Sequence, residues 1–197
     1  MEQLKVDFDK VIESLKLSEE SINSRKKNFN QFVENGFPNK RVEDWKFSDL
    51  NQIISSNIKN LRFHTDVELE EIDETIFIDK FEHNKIIFLN GVISKINFSL
   101  EDDTKVLITR DLNKNENSKE VNPLVSLNNA LIASYIGITV KENYSLNKPI
   151  IIYNITTKEL KSTAINLKID IVLEKNSSLK LINLFDDNSE NNFINIV

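Results

Sequence analysis

The chain has 197 residues, a formal net charge of −6, and 40% hydrophobic and 28% charged residues, enough for one good core or two small ones with the charge content of an ordinary folded protein. Residues 1–60 and 121–197 are each balanced, so the whole deficit lies in residues 61–120; no basic face is implied, which excludes a nucleic-acid binder that works by phosphate neutralisation. There is no cysteine, so disulfides, thiolate catalysis and Cys-ligated zinc or iron-sulfur centres are excluded within this segment.

Met1 to Lys10 is charged and lacks an apolar h-region, and no window reaches the length of a membrane span. A cytoplasmic protein without a membrane partner is the expectation. Residues 6–35 have helical spacing: Phe8, Ile12 and Leu15, then Ile22, Phe29, Phe32 and Val33. Two helices are predicted, with Ser18 as an N-cap before Glu19 and Glu20, and Gly36 with Pro38 as a stop. A short helical turn carrying Val42, Trp45 and Leu50 follows, then a third helical stretch through Ile53, Ile54 and Ile58. Residues 1–60 thus read as a helical region.

Residues 61–120 read as a mixed connector and hairpin region. Its first part is acidic, with Glu68, Glu70, Glu71, Asp73 and Glu74 around Leu69 and Ile72, the pattern of a solvated face. Ile86 to Leu89, then Asn90-Gly91, then Val92 and Ile93 predict two strands joined by a tight turn. Val106 to Ile108 predicts another strand, and Arg110 to Glu120 an exposed loop.

Residues 121–197 begin with a short helix, its apolar positions at Leu124, Leu127 and Leu131, and continue in strands. These are Ile136 to Val140, Ile150 to Tyr153, Thr163 to Leu173 and Leu179 to Phe185. In the third, Ile165, Leu167, Ile169, Ile171 and Leu173 share one face, and Asn166, Lys168 and Asp170 face the other way. Short strands without intervening helices fit a sandwich, a barrel or a β-helix. Asn143-Tyr144-Ser145-Leu146 and Asn176-Ser177-Ser178-Leu179 recur about one solenoid period apart, which favours the β-helix.

No catalytic constellation emerges. His64 and His83 flank the acidic stretch without spaced partners and read as solvated or capping residues. Gly36, Gly91 and Gly137 are isolated, so there is no phosphate loop. The run Asp186 to Asn191 lacks the Gly and the distal Glu of a calcium loop. Asp102 and Asp103 sit in a polar turn with no apolar pocket to raise a pKa. The most distinctive stretch runs from Gly36 to Leu50, where Trp45, Phe47 and Leu50 are expected to anchor a turn on the helices while Lys40, Arg41, Glu43 and Lys46 stay wet or pair locally.

That stretch resembles the N-terminal signature of the SufB/SufD family of iron-sulfur cluster assembly proteins: a Gly-hydrophobic-Pro, two basic residues, a Glu, then Trp-Lys-aromatic-Ser/Thr. Gly36, Pro38, Arg41, Glu43, Trp45, Lys46 and Phe47 fill these positions. Phe88-Leu89-Asn90-Gly91 is similar to the family's hydrophobic Asn-Gly turn, and Leu127-Asn128-Asn129-Ala130 with Lys148-Pro149-Ile150 to its Leu-Asn-x-Ala and Pro-Ile elements. Two positions depart from the pattern: Ser134 and Tyr135 precede Gly137 where the family has an earlier Gly, and Val140-Lys141 replaces Val-Pro. The Trp-Lys signature and the short N-terminus favour the SufD branch.

The resemblance implies an α+β chain: an N-terminal helical region followed by a right-handed parallel β-helix. It implies a non-enzymatic scaffold that supports cluster assembly and iron acquisition within a SufB–SufC–SufD complex, pairing with SufB along the β-helix and with the SufC ATPase through a C-terminal helical region. It implies no cofactor in this segment, the iron-sulfur cluster being handled by the full complex; the family's cluster-assembly residues would fall beyond Val197. Phe193 to Val197 reads as the start of another strand, so we expect the front part of a longer protein, its β-helix truncated. The alternative is a β-helix carbohydrate-binding or carbohydrate-active module, which would want paired carboxylates and aromatics on an exposed strand face.

Overall fold

A computed structural model of the chain describes residues 2–58, 60–64, 72, 74–114 and 122–197. Most of the acidic run (Glu68, Glu70, Glu71 and Asp73) and the loop residues 115–120 lie outside the described residues. The chain is α+β, and the described part contains four α-helices and two mixed four-stranded sheets.

The helices are α1 (Glu2–Ser14), α2 (Glu19–Asn35), α3 (Leu50–Asn57) and α4 (Pro123–Leu131). Their ends follow from local chemistry. The Ser18 side chain accepts from the Ser21 N–H (3.2 Å) at the start of α2, and Gly36 closes it at φ +68° with its N–H donated to the Phe32 carbonyl (2.7 Å). Asp49 caps α3, and Asn122 caps α4 just ahead of Pro123.

The strands are β1 (Asn84–Leu89), β2 (Val92–Asn97), β3 (Val106–Thr109), β4 (Ser134–Val140), β5 (Ile150–Thr156), β6 (Ala164–Leu173), β7 (Leu181–Asp187) and β8 (Phe193–Ile196). The first sheet has the order β2-β1-β5-β7 and the second β3-β4-β6-β8. The predicted β1–β2 hairpin forms, with Asn90 and Gly91 both at positive φ. Glycine is required at 91 for a further reason: a Cβ there would lie 2.6 Å from Ile165 Cγ2. Apart from the antiparallel β1–β2 and β3–β4 pairs, all pairings are parallel. From β4 onward, successive strands alternate between the sheets, and β6, β7 and β8 each lie parallel to the strand two before them.

The repeated tetrapeptides explain this register. Asn143 and Asn176 both adopt the left-handed conformation that Asn tolerates and stack, with Asn176 Nδ2 donating to Asn143 Oδ1 (3.0 Å). Ser178 Oγ lies 2.8 Å from Ser145 Oγ, and the two residues form a parallel bridge. Lys141 and Glu174 add an ion pair of 2.8 Å beside them.

The main core lies between the sheets. It is built from Ile86 and Phe88 of β1, Ile136, Ile138 and Val140 of β4, Ile150 and Ile152 of β5, and Ile165 and Leu167 of β6. Each such side chain contributes about 1.5–3 kcal/mol by leaving water. Outside the first sheet, Ile87, Leu89, Ile151, Tyr153 and Ile155 are covered by Ile72, Ile76, Phe77 and Ile78. This burial on both faces is why β5 begins with an apolar run, Ile150 to Tyr153. Outside the second sheet pack α1, α2 and α4, with Leu4, Phe8, Val11, Phe32, Leu127, Ala130 and Leu131 meeting Ala164.

That helix layer corrects one expectation. Asn166 and Lys168 are buried, because α4 lies over that face of β6. Asn128 Nδ2 donates to the carbonyls of Leu167 (2.7 Å) and Asn195 (2.9 Å), and Asn195 Nδ2 donates to Asn166 Oδ1 (3.0 Å). Asn128, Asn166 and Asn195 thus form an internal hydrogen-bonded seam between α4 and the second sheet. The strand predicted from Leu179 to Phe185 starts two residues later, at Leu181, because Leu179 still packs in the preceding turn against the main core.

Candidate interaction surface

The segment from Gly36 to Leu50 leaves α2 with its first residues turned inward. Phe37 packs edge-on against Phe32 (5.1 Å) and Phe193 (5.6 Å), and Pro38 is buried. The Pro38 carbonyl accepts from the Asn51 N–H (3.1 Å), tying the start of α3 to the end of α2. Between these points the chain makes a single 3-10 turn at Glu43–Trp45, closed by main-chain bonds from Trp45 to Val42 (2.8 Å) and from Ser48 to Trp45 (2.8 Å).

The anchors therefore differ from those expected. Phe37 and Pro38 hold the segment, Trp45 and Leu50 are half-buried, and Phe47 is 89% exposed. The turn rotates Phe47 outward, where the Lys46 ammonium lies over its ring, 5.2 Å from the centroid. Lys46 also pairs with Glu43 at 3.0 Å, an exposed contact of small energetic weight. Val42 (42% exposed) and Ile53 (51%) add apolar surface on the flanking turns of the segment, and Lys40, Arg41, Glu43 and Asp44 are exposed around it. Of the signature residues, Gly36 and Pro38 serve the turn, whereas Arg41, Glu43, Lys46 and Phe47 face solvent. Exposed aromatic and arginine side chains on a fixed turn suit protein contact better than chemistry on a small molecule.

Among the described residues, other polar groups are held in structural contacts. His83 is buried rather than solvated. Its Nδ1 lies 2.9 Å from the Phe81 carbonyl and its Nε2 2.9 Å from the Tyr153 hydroxyl, which itself accepts from the Ile78 N–H (3.1 Å). This fastens the segment covering the first sheet, so the ring is committed to structure. Asp187 accepts from Ser189 and Thr156, which hold its carboxyl below the ordinary value. Among the described residues no group of three or more His, Cys, Asp or Glu could hold a metal ion, and no helix is long and apolar enough to cross a membrane.

Two polar residues have larger structural roles than sequence reasoning assigned. Arg25 is fully buried and reaches the C-terminal end of α4; its position on the same helical face as Ser21, Asn28 and Phe32 is the signal that could have found it. Glu101 accepts hydrogen bonds from residues remote in sequence, and no local pattern marks it. Comparison with protein-family models finds no match for the chain, and neither does comparison with curated proteins.

Proposed function

We propose that the chain is a non-catalytic scaffold of the SufD branch of the SufB/SufD family, acting in the cytoplasm within a SufB–SufC–SufD complex that assembles iron-sulfur clusters and supports iron acquisition. In this reading the alternating parallel strands are the coils of a right-handed parallel β-helix, the hand that a parallel crossover almost always takes. SufB pairs along the β-helix, the SufC ATPase engages a C-terminal helical region, and the cluster is cargo of the complex rather than a resident cofactor of this chain. The ordered motif set carries the reading, from the Gly36 to Ser48 signature through the Asn90-Gly91 turn to Leu127-Asn128-Asn129-Ala130 and Pro149-Ile150. The outward Val42, Phe47 and Ile53 supply a contact surface that a scaffold requires and an isolated domain does not.

Co-expression of the tagged full-length gene product with SufB and SufC, followed by affinity purification, tests this. The expected result is a three-component complex that supports iron-sulfur reconstitution. Phe47→Ser should leave the thermal midpoint within about 2 °C, since surface substitutions cost little, while lowering recovery of the partners. A protein that purifies alone removes the scaffold reading. Unchanged recovery with Phe47→Ser removes only the assignment of this surface.

A further inference from the structure

The free edge of β3 lies beside a cavity that the scaffold reading leaves unused. Among the described residues, β3 has a single strand neighbour, β4. Lys105 accepts from the Lys141 N–H (2.9 Å), and the register pairs Leu107 with Thr139 and Thr109 with Gly137. Antiparallel alternation then turns the main-chain groups of Val106 and Ile108 away from β4. The Val106 N–H is taken by the Asp102 carbonyl (3.0 Å), which leaves the Val106 carbonyl and both groups of Ile108 on the open side.

A cavity of about 380 Å³ adjoins this edge, lined by Phe98, Val106, Leu107 and Ile108 and by the acidic residues Glu101, Asp102 and Asp103. Among the described residues no cation contributes to its lining; Lys105 acts on Asp102 from the strand's start, and Arg110 follows its end. Glu101 is saturated by Asn84, Tyr144 and the 147–148 main chain. Asp102 keeps one oxygen on Thr104, and Asp103 is exposed. Apolar floor, acidic rim and main chain unpaired among the described residues occur together at one strand.

We propose that this edge and cavity form a docking groove for an extended basic-apolar segment of a partner protein, added as a strand beside β3. Its main chain pairs with Ile108, its apolar side chains enter the cavity over Phe98, and Lys or Arg residues meet Asp102 and Asp103. The acidic lining decides the occupant: an acidic or neutral strand gains the main-chain bonds but not the charge match.

The test uses the full chain and a fluorescein-labelled octapeptide of alternating valine and lysine, with the valine–glutamate octapeptide as comparison. The lysine peptide should give saturable anisotropy that weakens with salt and should slow hydrogen exchange at the Ile108 amide. The Asp102→Asn/Asp103→Asn double variant, which keeps an acceptor for Thr104, should weaken binding by roughly tenfold, as expected for loss of two exposed charge pairs. Absence of saturable binding, equal affinity for the glutamate peptide, an unaffected double variant, or protection at Leu181–Asp187 in place of Ile108 would overturn the proposal.

Discussion

Arg25→Ala should destabilise the chain by about 3 kcal/mol, the cost of removing two hydrogen bonds from a charged donor to buried carbonyls, and lower the thermal midpoint by roughly 6–12 °C. Arg25 reaches from α2 to the end of α4, where Nη1 donates to the carbonyls of Ile132 (2.7 Å) and Ala130 (3.3 Å). These are orphan groups at a helix C-terminus, where a cation is favoured. Burial pulls the guanidinium pKa down to about 10, so it stays charged at neutral pH. Among the described residues its Nε and Nη2 find no partner, so the residue is costly to bury and is tolerated because the α2–α4 contact depends on it. Arg25→Met keeps the stem without the buried charge and should lose about 1 kcal/mol, because an apolar replacement also removes the desolvation penalty. Urea unfolding of the three proteins checks the order. An alanine variant as stable as the parent would show that α4 does not depend on this cap.

Glu101 should make stability depend on acid. Its carboxylate accepts from Asn84 Nδ2 (2.8 Å), the Tyr144 hydroxyl (2.8 Å), the Asn147 N–H (3.0 Å) and the Lys148 N–H (3.1 Å), joining the start of β1 to the turn that leads into β5. Burial pushes its pKa up, but the bonds from Asn84, Asn147, Tyr144 and Lys148 together outweigh burial and hold it below the ordinary value. A carboxyl depressed in the folded state contributes stability that is fully present above the unfolded pKa of about 4.3 and is lost as pH falls through the folded value. Glu101→Gln places an amide N–H group against these donors. It should cost about 2 kcal/mol at pH 7 through lost charge-assisted bonds and flatten the stability curve below about pH 4.3. Asp102, Glu159, Glu174 and Asp187 are depressed too, so the readout is the difference between the two chemical-denaturation curves across pH. Parallel curves would contradict the assignment.

These residues also mark where sequence reading stops. The α2 boundaries and the Asn90-Gly91 hairpin follow from patterns within a few residues, and the Asn143 and Asn176 repeats favour a parallel stack because identical turns stack best on one another, whereas the strand order is set by pairings remote in sequence. Alternation in β6 separates its two faces, but only the placement of α4 decides that Asn166 and Lys168 are inside. A polar strand face reads as wet unless something distant covers it. Phe47 fails in the opposite direction: hydrophobicity suggests an anchor, and the geometry of one 3-10 turn points it outward. His83 likewise becomes structural only when Tyr153, from the next turn of strands, arrives 2.9 Å away.

The parallel stacking of successive strand–turn units underlies the scaffold reading, and the absence of cysteine permits a direct test. In the Ser145→Cys/Ser178→Cys variant the two positions occupy a parallel bridge, within the span a disulfide can close. Mild oxidation of the folded protein should consume both thiols, whereas a Ser145→Cys/Ser177→Cys control, shifted by one residue so that its side chain turns away, should remain reduced. If the first pair stays free, or both pairs close equally, the stacked register is wrong.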